Sequence, residues 1–305
     1  MLCLIYKSHL SLFTDIYLDA VTNVRDIFPN RQQSDNLSYV IDFDLNELRN
    51  LTVQERRNTA TLEQVYPLRF PSRSNVPFRL STLNETIELL VGLNQATGRR
   101  HELLIEIKKP EYHTRKGKAI SDRVLAVLNA YNLTRNTDPV IIQTFYIEEL
   151  FYLRNILQTQ LRLFALITSN QVNESSSNYE YYMSEMGIQN LSRIVQALAP
   201  DYQLVATFNS DSTISGQTNL TRLAHQYNLK VYPYTFRRDR FLGKSFEELI
   251  DYFWHSIKID GFITDHPDVV LEYLQKTIVS TASTQMCHSV SFYLLTGFIL
   301  HNLIQ

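Results

Sequence analysis

Glu106 and Lys108 stand two residues apart in the run Leu103-Leu104-Ile105-Glu106-Ile107-Lys108-Lys109-Pro110. The flanking leucines and isoleucines form strands well, and Pro110 ends regular pairing. A strand repeats its side-chain direction every second residue, so Glu106 and Lys108 share one face, opposite Ile105 and Ile107. A carboxylate beside an ammonium on an apolar strand is costly to bury unless paired or bound to something. Two readings follow: an edge strand with a solvated polar face, or a strand end that holds a metal or an anion. Among the eight histidines, His113 follows this strand closely. His255 and His266 flank a later apolar run, while His101 and His225 read as surface residues.

The elements that would position these groups are legible as alternating patterns. Leu103–Lys108, Val140–Phe145, Leu161–Ser169, Leu229–Phe236 and Gly261–Asp265 read as short buried strands. Between them, 81–94, 119–130, 147–160, 184–198, 219–226 and 246–258 show the apolar spacing of helices. Ser81-Thr82-Leu83-Asn84-Glu85 offers a polar cap with an acid in the first turn, and 211–215 reads as a loop entering a helix. Strand and helix in alternation imply parallel strands with helical crossovers. Polar residues recur near the carboxyl ends of those strands: Glu106 and Lys108, Gln143 and Thr144, Tyr234 and Arg237, Thr264 and Asp265. A β/α barrel assembles its site from such positions, and so does a doubly wound sheet. Before residue 100 the pattern is less regular. Residues 42–48 look like a cap and short helix, and 61–76, with Pro67 and Pro71 inside, like a long surface loop or linker.

Composition excludes several classes. With 44% hydrophobic and 20% charged residues and a net charge of −2, the chain reads as globular, without the basic excess that nucleic acid would require. Gly is scarce at 8, and no glycine-rich phosphate loop is present. Cys3 and Cys287 lie near opposite ends and make neither a disulfide framework nor a zinc spacing. N-x-[ST] triplets begin at Asn36, Asn50, Asn84, Asn132, Asn173, Asn190 and Asn219. That is about twice the chance expectation, and it leans toward the secretory pathway or the extracellular space. No signal peptide is recognisable, since Lys7 follows the short apolar run 1–6 instead of preceding it.

Taken in order, these residues resemble the glycerophosphodiester phosphodiesterase family, closest to its periplasmic bacterial branch. The carrying pieces are Asp15-Ile-Tyr-Leu-Asp-Ala-Val-Thr-Asn-Val24 with Phe28-Pro29-x-Arg31; Asp42-Phe-Asp-Leu-x-Glu47-Leu48; Ser81-Thr82-Leu83-x-Glu85; Glu106-Ile-Lys-Lys-Pro110 with His113; Val231-Tyr-Pro-Tyr-Thr-Phe-Arg237-x-Asp239; and Asp260-Gly-Phe-Ile-Thr-Asp265-x-Pro267-Asp268. The resemblance implies an α/β fold, a TIM-type β/α barrel over residues 1–275, with 276–305 as an apolar carboxyl-terminal tail. It implies metal-dependent hydrolysis of glycerophosphodiesters to glycerol 3-phosphate and an alcohol, with Ca²⁺ or Mg²⁺ on oxygen ligands. Carried over residue by residue, Glu106 would be a metal ligand, Lys108 and His113 phosphate or substrate contacts, and Tyr234 and Arg237 the border of the glycerophosphate pocket.

The family's opening His-Arg-Gly, Pro-Glu-Asn-Thr and Glu-x-Asp elements are not in this sequence, and its next histidine position reads Thr14. The expectation is therefore a barrel incomplete at its amino-terminal strands, a fragment whose catalytic residues are not retained and whose activity as written is nearly lost. The alternative expectation is an inactive pseudo-enzyme that still binds a phosphate ester. After Gln275, small residues, a polar spacer and the apolar run 290–304 read either as a glycolipid-anchor signal giving membrane association or as a terminal helix.

Overall fold

The computed structural model describes residues 2–4, 10–12, 15–67, 69, 77–281 and 294–295. The chain divides into two compact units, residues 1–97 with 106–132, and residues 98–105 with 133–305.

In the first unit, β1 (Leu2–Leu4) and β2 (Leu10–Leu12) pair antiparallel. Helices α1 (Val24–Ile27), α2 (Leu45–Asn50), α3 (Leu83–Thr97), α4 (Pro110–Arg115) and α5 (Ile120–Ala130) follow. Leu18, Val24, Val40, Phe43, Leu48, Leu51 and Leu80 form its core. Each fully buried Leu or Phe contributes about 1.5–3 kcal/mol. Asp44 and Glu47 make a reciprocal capping box that starts α2, where the sequence predicts a cap and short helix. Thr82 and Glu85 do the same ahead of α3, with Glu85 N donating to Thr82 Oγ1 at 3.2 Å and Thr82 N to Glu85 Oε2 at 2.8 Å.

The second unit is built on a sheet of order β10-β3-β4-β5-β6-β9. Its strands are β3 (Leu103–Glu106), β4 (Val140–Thr144), β5 (Arg162–Ile167), β6 (Ala197–Pro200), β9 (Lys230–Val231) and β10 (Leu294–Leu295). The pairs β4–β5, β5–β6 and β6–β9 are parallel. Helices α6 (Ile147–Phe151), α7 (Tyr179–Met183), α8 (Glu185–Leu191), α9 (Leu220–Gln226), α10 (Phe246–Asp251) and α11 (Pro267–Thr281) supply the crossovers. Phe164 and Leu166 on one face of β5 join Leu104, Ile141, Ala197 and Ala199 in one cluster, while Leu163, Ala165 and Ile167 on the opposite face are buried too. Burial on both faces is what a parallel sheet under helices demands, and it explains why these strands are continuous apolar runs.

Five local expectations need correction. The helix expected over 184–198 is α8, ending at Leu191, and Ala197–Pro200 is strand β6. Alanine and leucine favour helix, but a fully buried slot between β5 and β9 overrides that weak preference. Residues 211–215 enter no helix. They lie at the turn of an antiparallel hairpin, β7 (Ala206–Phe208) with β8 (Ile214–Gln217), where the Asp211 carboxylate accepts from Thr213 N at 3.0 Å. The helices expected over 147–160 and 246–258 are α-helical only to Phe151 and Asp251, and continue as π turns over Tyr152–Ile156 and Tyr252–Ile257. The expected strand 261–265 is an isolated bridge, Phe236 to Thr264. Asp260 N donates to Val231 O and Ile263 N to Pro233 O, so three steps on one segment oppose two on the other. This is a bulge, and it breaks the regular ladder. Thr14 and residues 282–293 and 296–305, with the anchor or terminal-helix expectation, lie outside the described residues.

Candidate functional site

Strand β3 delivers Glu106 at its carboxyl end. Two residues on, Lys108 Nζ lies 3.7 Å from Glu106 Oε1, on the same side as period two requires. Both residues are buried, at 4% and 9% exposure, so this is not a solvated edge-strand face. Lys109 turns the chain with a left-handed backbone (φ 47), and Pro110 occupies the first turn of α4. That turn carries His113 inward to 1% exposure. Both ring nitrogens of His113 are buried without a hydrogen-bond partner among the described residues. The Tyr112 ring meets it edge-on at 5.5 Å. Burial, reinforced by the charge of Lys118, pushes the imidazole down to about 4. His113 is therefore the neutral imidazole at pH 7, with a single ring N–H and without the extra proton of the imidazolium. Elsewhere in this unit the acids of the first matched segment are committed to arginines, Asp15 to Arg56 at 2.7 Å and Asp19 to Arg25 at 2.8 Å.

In the second unit, Tyr234 and Arg237 line one cavity of about 310 Å³ together with Asp201, Tyr202, Gln203 and Arg240. The cavity opens at the carboxyl ends of β6 and β9, because Asp201 follows β6 directly and bridges Tyr234 in parallel. Tyr234 is held twice: its hydroxyl donates to Ile167 O at 3.0 Å, and its ring meets Phe145 edge-on at 5.6 Å. Arg237 Nε donates to Asp265 Oδ2 at 2.8 Å, so the motif residues 237 and 265 form one ion pair. Burial pushes the Asp201 carboxyl up, opposed by a hydrogen bond from Gln203 N and by Arg237. Arg237 is offset by Asp265, and Arg240 adds a second guanidinium to the lining opposite Asp201, which gives the cavity donors for a phosphate ester. Gln143 and Thr144 end β4 buried, and Thr264 Oγ1 donates to Phe236 O.

The structure thus brings Glu106 together with Lys108, and Tyr234 together with Arg237. His266 accepts from Arg238 N at 3.2 Å, and His225 pairs with Asp260 at 2.8 Å. Sequence reasoning missed Asp201, Tyr202 and Arg240. The first two follow the strand that was read as helix, and Arg240 lies three residues past Arg237, close enough to find by extending the motif. Among the described residues no group of three or more His, Cys, Asp or Glu could hold a metal ion, and no helix is long and apolar enough to cross a membrane.

The model of the glycerophosphoryl diester phosphodiesterase family matches residues 9–269. The glycerophosphodiester phosphodiesterase of Haemophilus influenzae is 32% identical over 281 residues, covering 86% of this chain and 77% of that protein. That of Treponema pallidum is 26% identical over 284 residues, covering 85% and 78%. A crystal structure from Silicibacter pomeroyi, assigned as a glycerophosphoryl diester phosphodiesterase, matches with a TM-score of 0.66 at 18% identity, over 90% of this chain and 82% of its own. The likeness extends to the fold, a β/α barrel of TIM type. The chain belongs to the glycerophosphoryl diester phosphodiesterase family.

Proposed function

We propose that this chain acts on glycerophosphodiesters, releasing glycerol 3-phosphate and an alcohol. The observation that carries the proposal is the buried Glu106–Lys108 pair at the carboxyl end of β3. An ammonium held there by a carboxylate is a fixed point charge for a phosphate oxygen. In the second unit, Arg237 and Arg240 present cationic donors, with Arg237 oriented by Asp265 and Tyr234 fixed through Ile167 O. Glycerophosphate is the expected occupant of that cavity. His113, buried and neutral, supports the turn that carries Lys108.

The family is generally metal-dependent. Ca²⁺ and Mg²⁺ take about six oxygen ligands. The described residues offer no cluster of three acid or imidazole groups, and Glu106 faces an ammonium at 3.7 Å. The described residues do not compose such a site. The same observation favours a second reading, in which the chain binds the phosphate ester without turning it over.

Glycerol 3-phosphate release from glycerophosphocholine, followed by a coupled dehydrogenase, together with calorimetric binding, separates the two. Hydrolysis lost in Glu106→Ala and Lys108→Ala supports the enzyme. Saturable binding without release supports the second reading. If the wild-type chain neither binds nor hydrolyses any glycerophosphodiester, both are wrong.

A further inference from the structure

We infer that Asn36 and Asn219 are N-glycosylated, which places the chain in the lumen of the secretory pathway. Of the seven N-x-[ST] asparagines, six are exposed: Asn36, Asn50, Asn84, Asn132, Asn173 and Asn219. Asn190 is only half-exposed, and its Nδ2 donates to the Tyr181 hydroxyl at 2.5 Å. Exposure alone has an ordinary explanation. Asn36, Asn132 and Asn173 have left-handed backbones (φ 63, 57 and 53), a conformation asparagine tolerates better than most residues.

The hydroxyl two residues on is the discriminating feature, and those of Asn50 and Asn132, Thr52 and Thr134, are half-buried and exposed, within reach of water. Thr86 Oγ1 donates to Thr82 O, Ser175 Oγ to Phe145 O and Ser192 Oγ to Gln189 O, so those hydroxyls are used by the fold. Ser38 Oγ and Thr221 Oγ1 are not. Both are buried, at 0% and 4% exposure, with no hydrogen-bond partner among the described residues. A buried hydroxyl without a partner destabilises, and alanine at 38 or valine at 221 would serve the folded chain better. A hydroxyl kept where folding gains nothing from it fits a requirement met before folding. Glycosyl transfer to the nascent chain is such a requirement. The asparagine amide nitrogen bonds to the anomeric carbon of a lipid-linked oligosaccharide pyrophosphate and loses one proton, while the lipid pyrophosphate leaves.

Protein isolated from its own organism, treated with peptide N-glycosidase in ¹⁸O-water and analysed by peptide mass spectrometry, tests the assignment. Conversion of Asn36 and Asn219 to ¹⁸O-labelled aspartate, with Asn190 unchanged, is expected. Recovery of either asparagine fully unmodified overturns the assignment at that site, and a label at Asn190 overturns the exclusion. A second arm uses the full chain made without glycans in bacterial cytoplasm. S38A and T221V should melt at or above the wild-type temperature. A fall of more than about 2 °C in either would show that the fold needs that hydroxyl, and would refute the argument.

Discussion

Replacing His113 by leucine should flatten the stability of this protein against pH between about pH 7.5 and pH 5. The folded imidazole titrates at about 4, against 6.5 for the free side chain. Its depressed value means that, as pH falls below 6.5, the unfolded chain takes up a proton that the folded chain refuses. Stability is therefore full above 6.5, falls as pH drops from 6.5 toward 4, and levels off below that. At pH 5 the unfolded imidazole is almost fully protonated and the folded one almost fully neutral, which removes about 2 kcal/mol, rising to about 3 kcal/mol at the plateau. Because the residue is 1% exposed, solvent screening does not reduce this figure. Leucine is close in volume, and neither ring nitrogen has a hydrogen bond to lose among the described residues. Urea denaturation of both proteins at the two pH values isolates the His113 contribution, since the other titrating groups are common to both. The reasoning fails if the two proteins lose the same free energy on acidification. It fails equally if the ring proton of His113, followed by NMR, titrates near 6.5.

Three further outcomes are expected. Lys108→Met leaves the Glu106 carboxylate buried beside an apolar side chain and should destabilise by about 3 kcal/mol in chemical denaturation, whereas the double variant with Glu106→Gln should recover most of that loss. Asp44→Ala removes one half of the α2 capping box and should lower stability by about 1 kcal/mol, with the helix start frayed in amide exchange. A Cβ on Gly187 would meet Tyr181 O at 2.0 Å, so Gly187→Ala should destabilise by about 3 kcal/mol by thermal melting, through displacement of α7 from α8.

What the sequence made legible were the features set by local chemistry. Strands β3, β4 and β5 fall within a residue or two of their apolar runs, because burial on both faces writes itself as continuous Leu, Ile and Val. Period two placed Glu106 beside Lys108, and the Thr82–Glu85 box was readable from spacing. What escaped depended on partners far along the chain. Ala197–Pro200 has no local signature of a strand and becomes one only between β5 and β9. With it went Asp201 and Tyr202, half of the cavity opposite Tyr234 and Arg237. The inward burial of His113 was likewise invisible, since its position in the motif gives the residue's place in the chain but not its depth.

The bulge opposite Val231 and Pro233 ties function to chain length. Two residues past it, Asp265 meets Arg237. Side chains alternate faces along an extended segment, so one residue inserted between 263 and 265, past the bulge, would turn Asp265 away and leave Arg237 without its carboxylate, whereas removing the extra residue of the bulge leaves two steps against two and keeps both flanking pairs. Many substitutions at Gly261 or Phe262 would leave that register intact, while an insertion of the smallest size past the bulge would not. In this segment tolerance to change is a matter of counting residues more than of choosing them.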